Sequence, residues 1–216
     1  MRSLRVWLLL PLAPALASCF PFIFSEEPLG EVAELEPEKW EGSWLSADGE
    51  VAFFRVLDAK NGVIDVGGTS CESGRREAIQ LRKAPGQRFQ ERRAVDWYFP
   101  LEGDVDAQGA FASKGGLLGG CNADPPRCRY LSTFVRFEGA LIMYQIADDV
   151  RIKSLVESGV LPGRVEQDEA VLGRLKAEHY DVLYAIDRPV MNWRSGWPFI
   201  KLPPEIDPCT AKTPPK

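Results

Sequence analysis

This chain of 216 residues has 31 acidic side chains but few patterns that are suited to acid–base or nucleophilic chemistry. There is one histidine, His179, so a serine or cysteine nucleophile with a histidine base would have to use it. His179 stands in a segment with helical spacing, where an ordinary polar surface residue is the simpler interpretation. The chain has no Gly-rich phosphate loop, paired histidines or nucleophile elbow. The sequence therefore predicts a protein that is not an enzyme, with no catalytic residue and no cofactor.

Cysteine is the other reactive residue type. The five cysteines are Cys19, Cys71, Cys121, Cys128 and Cys209. An exported protein seldom leaves one thiol free, so an odd number predicts a separate role for one of them. Structural zinc sites usually place two thiolates two to four residues apart, and no two of these cysteines are that close, so we expect no metal site.

The first 18 residues have the pattern of an export signal. Arg2 and Arg5 precede the stretch 6–17, which carries no charge and contains five leucines. A charged region followed by a short apolar region is typical of such signals. The apolar region ends in Leu16, Ala17, Ser18 and Cys19. A leucine, two small residues and a cysteine resemble the lipobox of bacterial lipoprotein precursors.

This resemblance implies cleavage before Cys19, a diacylglycerol on its sulfur and an acyl chain such as palmitate on its new amino group. Phe20 follows, rather than the Asp that inner-membrane lipoproteins often carry, which implies an outer-membrane location facing the periplasm. Each buried methylene contributes about 0.8 kcal/mol, so two or more chains hold a protein durably at a membrane. Loss of residues 1–18 removes two arginines and no acid, which lowers the formal charge from −5 to −7.

Three other interpretations of the amino terminus stay open. Residues 15–17 also form a small-x-small cleavage site, which would release a soluble chain beginning at Ser18. Residues 6–24 approach the length of a bilayer span, although three prolines would interrupt the helix. A cytoplasmic core segment is the third, and the flanking arginines disfavour it. Lipidation of Cys19 leaves an even number of cysteines, which favours the lipoprotein interpretation.

The four remaining cysteines predict two disulfides, because an exported chain meets an oxidising compartment. Three pairings are possible, and the sequence does not choose among them. In one of them Cys121 and Cys128 clip a short loop that contains two prolines, and Cys71 joins Cys209 across a long stretch of chain.

Residues 19–39 follow the signal and are predicted to form an acidic tether. From Glu26 to Lys39 there are six glutamates and one lysine, and Pro28 and Pro37 would break any regular element. We expect this segment to be solvated and to hold the folded domain away from the membrane.

The region 40–147 shows short apolar runs separated by turn signals, which predicts antiparallel β structure. The expected strands lie near 40–45, 51–57, 63–66, 78–81, 95–101, 130–137 and 140–146, and Gly109 is expected to separate Val105 from Ala110 and Phe111. Asn61 and Gly62 favour a type I′ hairpin turn between two of them. This spacing is typical of a meander, a sandwich or a partly closed barrel.

The region 148–216 is predicted to be a small helical section and an extended tail of the same domain. One helix begins after Asp148 and ends near Gly159, and a second covers 176–186. A small hairpin is expected around Gln167 and Asp168. The predicted fold class is therefore α+β, mainly antiparallel β with two short carboxy-terminal helices.

Two sets of side chains are candidates for binding. Basic residues crowd one stretch: Arg75, Arg76, Arg82, Lys83, Arg88, Arg92 and Arg93. They predict either a solvated sheet face or a contact with an anionic envelope surface. Aromatic residues form the second set: Trp40, Trp44, Trp97, Tyr98, Trp193 and Trp197. They predict core positions or the wall of an apolar or carbohydrate pocket.

Gly42, Ser43 and Trp44 match the Gly-x-Trp that lies near the first strand of lipocalins. This similarity implies a β cavity for a small apolar ligand, and the four later cysteines and the helical section depart from the usual lipocalin plan. We therefore expect this protein to have one of two functions. It is either a non-enzymatic envelope lipoprotein that binds another envelope component or a binder of a small apolar ligand. The expected partners are the membrane and an envelope protein or anionic surface, and a pI near 5.1 disfavours nucleic acid.

Overall fold

The structure is a computed structural model, and it describes residues 22–67, 77–85, 96–114, 118–123, 126–137, 140–145, 149–184, 190–191 and 196–206. The predictions for the signal 1–18 and for Cys19, Cys71, Cys209 and Trp193 concern residues outside these ranges.

Eight antiparallel strands form a closed barrel. They are β3 (Gly42–Ser46), β4 (Val51–Asp58), β5 (Val63–Gly67), β6 (Glu77–Lys83), β7 (Asp96–Val105), β11 (Ser132–Phe137), β12 (Ala140–Gln145) and β15 (Trp197–Lys201). Each pairs with the next in this order, and β15 pairs with β3, which closes the ring. Of the expected architectures the structure is thus a barrel, and it is closed rather than partly closed. The chain is mainly β, so the α+β class is only partly correct.

Two turns show how the hairpins form. Only Gly62 of the predicted pair Asn61–Gly62 has a positive φ, of 67°, so this turn is not type I′. Instead, the side chain of Asp58 accepts hydrogen bonds from the backbone and side-chain nitrogens of Asn61. Positive φ at two successive residues occurs at Gln167 (48°) and Asp168 (73°), as a type I′ turn requires. The small hairpin predicted around them is confirmed.

A second sheet lies beside the barrel. Its strands, in spatial order, are β13 (Gly163–Glu166), β14 (Glu169–Leu172), β1 (Ile23–Ser25), β10 (Pro126–Tyr130) and β9 (Gly119–Ala123). The short strands β2 (Glu31–Val32) and β8 (Phe111–Ser113) extend the barrel sheet along β6 and β7. Cys121 and Cys128 stand directly opposite each other on β9 and β10, and a disulfide joins them.

Three helices occur in the described residues: α1 (Pro37–Trp40), α2 (Asp149–Glu157) and α3 (Ala177–Leu183). The last two lie within the predicted carboxy-terminal helices but are shorter than expected, so that prediction is partly confirmed. Ile152, Leu155 and Leu183 of these helices are buried, whereas Val150 is 71% exposed. The sequence analysis did not predict α1, which is a single turn.

Alternation along β7 divides the apolar residues into two cores. Trp97, Phe99 and Leu101 face away from the barrel and pack against the helices and the second sheet. Tyr98 faces inward and joins the apolar cluster inside the barrel. Successive side chains of a strand point to opposite faces, so one strand serves both cores.

The segment predicted to be a solvated tether packs against the domain instead. Leu29, Ala33 and Leu35 are all less than 5% exposed. The Tyr130 and Tyr180 hydroxyls accept hydrogen bonds from the backbone N–H groups of Leu29 (2.8 Å) and Gly30 (2.7 Å). Apolar residues between the glutamates supply enough buried surface to order this segment, which the acidic composition alone does not reveal.

Candidate functional site

The barrel interior contains an apolar cavity of about 200 Å³ that is partly open to solvent. Its lining residues come from six of the eight strands, from α1 and from the segment before β9. They are Trp40, Ala52, Phe54, Ile64, Val66, Ile79, Leu81, Leu118, Phe134, Leu141, Met143 and Phe199. Each is hydrophobic and no polar atom is exposed to the cavity, so the wall attracts apolar groups and offers a ligand no hydrogen bond.

Strand register explains why these residues meet. Directly opposed residues of an antiparallel pair project to the same face of the sheet. Phe54 stands opposite Val66, and Leu141 stands opposite Phe199, so each pair contributes two side chains to the wall. The residues between them face outward: the Arg55 guanidinium and the Asp65 carboxylate form an ion pair, at 3.1 Å, on the outer face.

Helix α1 places the indole of Trp40 against the cavity. The Trp44 indole N–H donates a hydrogen bond of 2.9 Å to the Trp40 carbonyl oxygen, which ties α1 to β3. The Tyr98 ring meets the Trp40 ring edge-on, with centroids 5.1 Å apart. The Arg136 guanidinium lies 5.7 Å from the Trp40 ring centroid. Aromatic and cation–π contacts of this kind fix a large side chain in one position.

Charged groups surround this group of aromatic rings. The Lys83 ammonium is 2.6 Å from a carboxylate oxygen of Asp96, and the Tyr98 hydroxyl is 3.4 Å from the other. Burial, together with the charge of Asp96, raises the pKa of Tyr98 strongly. The phenol therefore stays protonated and acts as a hydrogen-bond donor at physiological pH.

Trp197 and Glu102 lie near other parts of the wall. Trp197 stands opposite the wall residue Met143 and is 44% exposed, so its indole lies where the barrel interior meets solvent. Glu102 stands opposite the wall residue Ile79 and is 5% exposed. The Leu118 backbone N–H donates to its carboxylate.

The structure separates the aromatic residues that the sequence grouped together. Trp40 lines the cavity, and Trp44 is buried inside the barrel. Trp97 belongs to the other core, where its ring stacks on Tyr184 with centroids 4.3 Å apart. The expectation of one aromatic pocket therefore holds for only part of the set.

The described part of the basic stretch is bound to the protein itself. Arg82 donates to the carbonyl oxygens of Leu29 and Gly30, and Lys83 pairs with Asp96. These two residues hold the amino-terminal segment and β7 in place. The other five basic residues lie outside the described ranges.

His179 has a structural role at the start of α3. It belongs to the first turn of α3, and its Nδ1 accepts a hydrogen bond of 2.9 Å from the Lys176 backbone N–H. This bond satisfies a donor at the start of the helix.

Sequence reasoning missed most of the cavity wall. Phe54, Leu118 and Phe199, for example, were not singled out. Alternation along the strands, such as Ile79 and Leu81 on one face of β6, would have indicated the inner face. It does not indicate that the faces meet around an open volume.

Among the described residues, no cluster of three or more His, Cys, Asp and Glu side chains is arranged to hold a metal ion. In the same residues, no helix is long and apolar enough to cross a bilayer. No family model, curated protein or solved structure matches this chain.

Proposed function

We propose that this chain is a lipid-anchored envelope protein that binds a small apolar molecule in its barrel. The cavity carries the proposal. Protein interiors are packed at a density of about 0.75, so an apolar void of 200 Å³ inside a small domain is unusual.

The size and lining of the cavity indicate the ligand class. An engineered apolar cavity of about 150 Å³ stays dry and binds benzene. A slightly larger cavity suits a compact apolar group of similar size, such as one ring with a short substituent or a short alkyl chain. The closed barrel and the Gly-x-Trp at Gly42–Trp44 are also compatible with a lipocalin-like binder. We therefore prefer this second expectation to that of an envelope lipoprotein that binds another envelope component.

Attachment through Cys19 would hold the barrel beside the membrane. The segment from Phe22 onward packs on the domain, so only Phe20 and Pro21 separate it from Cys19. At about 3.3–3.6 Å per residue, the three steps from Cys19 to Phe22 span at most about 11 Å. Apolar molecules dissolved in the bilayer would then lie within a short distance of the domain.

To test binding, 1-hexanol is added at increasing concentration to the purified full chain, and the melting temperature is measured by thermal unfolding. A ligand that binds only the folded state raises the melting temperature with concentration. We expect this rise for the wild type, a smaller rise for Ala52→Leu, which fills part of the cavity, and an unchanged rise for Ile200→Ala on the outer face. Equal responses of the wild type and Ala52→Leu would place the alcohol elsewhere and contradict the proposal.

Anchoring is tested by extracting cells with a phase-separating detergent and locating the protein in the detergent or the aqueous phase. The wild type should enter the detergent phase and Cys19→Ser the aqueous phase. Detergent partition that does not change in Cys19→Ser would refute lipidation and leave the cavity proposal standing.

A further inference from the structure

Two phenylalanines at the start of the described chain lie on the outer face of the second sheet. In β1, Ile23 and Ser25 are fully buried, and Ile23 belongs to the core that the second sheet shares with the barrel. Successive side chains of a strand point to opposite faces, so Phe22 and Phe24 project away from that core. Both side chains are partly exposed.

Two arginines of the neighbouring strand β10 cover these rings. Arg127 and Arg129 flank Cys128, which is 2% exposed and belongs to the same core, so both arginines project outward. The Arg127 guanidinium lies 4.2 Å from the Phe24 ring centroid, and the Arg129 guanidinium lies 5.4 Å from that of Phe22. Phe22, Phe24, Arg127 and Arg129 are called the Phe/Arg face below.

This combination of side chains suits the surface of a phospholipid bilayer. Amphipathic surfaces that combine aromatic and basic residues bind at the boundary between headgroups and acyl chains. A guanidinium group recognises phosphate with two parallel hydrogen bonds, and every phospholipid carries a phosphate. Arg129 is exposed to solvent, and Arg127 also pairs with Glu169 at 3.1 Å.

The chain that precedes Phe22 leads directly to the proposed anchor. The three steps from Cys19 to Phe22 span at most about 11 Å. With acyl chains on Cys19 inserted in a bilayer, Phe22 must therefore lie close to the headgroups. The side of the domain that bears Phe22 is the Phe/Arg face, so the short connection turns this side toward the membrane.

We propose that the Phe/Arg face lies against the phospholipid bilayer, with the rings at the level of the headgroups and the guanidinium groups on lipid phosphates. This inference depends on the proposed anchoring at Cys19 and adds the orientation of the domain. The barrel then lies on the side of the second sheet that faces away from the bilayer, because Trp97 and Phe99 of β7 share a core with Ile23.

The test introduces a tryptophan at either of two positions. Phe24→Trp places it on the Phe/Arg face, where it keeps the contact with Arg127, because tryptophan forms the strongest cation–π contacts. Leu57→Trp is the matched control. Leu57 is 41% exposed and lies on β4, which is four strands away from β11 in the ring of eight and thus on the far wall of the barrel.

Each variant is purified from membranes with its anchor and reconstituted in vesicles of phosphatidylcholine, with or without bromine on the acyl chains near the headgroup. Bromine quenches tryptophan fluorescence at close range, and the wild type supplies the background of its six tryptophans. We expect brominated lipid to remove most of the fluorescence that Phe24→Trp adds and to leave that of Leu57→Trp unchanged.

Equal quenching at the two positions, or none at position 24 in protein that floats with the vesicles, would overturn the proposed orientation and leave the anchoring at Cys19 standing. If the wild type does not enter the detergent phase in the anchoring test, lipidation is refuted and the orientation with it. The cavity proposal does not depend on either result.

Arginine modification of the wild type measures the same contact without a variant. Phenylglyoxal should modify Arg129 more slowly on vesicles than after detergent has dissolved the bilayer. Arg55, whose side chain is 49% exposed on β4, should react at the same rate in both conditions. An Arg129 rate that does not change would contradict the proposal even if neither tryptophan variant folds.

Discussion

Replacement of alanine by leucine at two positions, Ala52 and Ala33, tests whether the barrel interior has room for a larger side chain. Ala52 lies on β4 and is the smallest side chain of the cavity wall. Ala33 is 3% exposed and belongs to the same apolar cluster, but it does not line the cavity. We therefore expect Ala52→Leu and Ala33→Leu to change stability in opposite directions.

The magnitude for Ala52→Leu follows from the added carbon atoms. Three further carbons at about 0.8 kcal/mol each contribute about 2.4 kcal/mol if they are fully buried. Partial exposure of Ala52 and a loss of about 0.5–1 kcal/mol of leucine rotamer entropy reduce this value. We expect a net stabilisation of about 1–2 kcal/mol, which raises the melting temperature by about 2–8 °C in a domain of this size.

Ala33→Leu adds the same atoms where no cavity receives them. The Ala33 backbone N–H donates to the Leu81 carbonyl oxygen at 3.0 Å, so the backbone at Ala33 cannot move away from Leu81 without losing this hydrogen bond. A Cβ built on Gly62 would lie 2.7 Å from the Ala33 carbonyl oxygen, which shows how close the neighbouring backbone is. Overpacking of this kind costs about 1–3 kcal/mol.

Urea unfolding of the wild type and the two variants, followed by circular dichroism, measures both free-energy changes. Destabilisation by both substitutions would show that the cavity does not accept a leucine side chain. That result would refute the reasoning that assigns the cavity to a ligand.

Two further predictions concern the amino-terminal segment and the disulfides. Tyr130→Phe removes the acceptor of the buried Leu29 N–H, so it should destabilise the fold by about 1–3 kcal/mol in urea unfolding, and a change near zero would show that this bond does not hold the segment. Mass spectrometry of the non-reduced mature chain should find no free thiol at Cys71 or Cys209, and alkylation of either would contradict the predicted second disulfide.

Much of the β structure could be predicted from the spacing of apolar runs and turn residues. The hairpin 163–172 and helices α2 and α3 were also visible in the sequence, because local residues decide them. Asn61–Gly62 shows the limit of such signals. It favours a type I′ turn locally, but Asp58 binds Asn61 with its side chain and produces another turn.

The amino-terminal segment could not be placed from local signals. Its six glutamates and two prolines indicate a solvated chain, while Leu29, Ala33 and Leu35 find their partners on strands and helices far along the sequence. Burial by distant elements overrides composition here, because the gain depends on surfaces that only the folded barrel provides.

The candidate site was predicted in part. Trp40 and Trp44 were singled out and do face the barrel interior. Glu102 was not, because one acid among 31 has no distinguishing mark until its neighbours are known.

The sequence by itself determined most of the local elements, because they depend on residues adjacent in the chain. Only the tertiary structure decided three features. These are the closure of the ring, the empty volume inside it and the burial of a carboxylate against its wall. These features depend on which strands become neighbours and on how completely their side chains fill the enclosed space, and neither quantity is local.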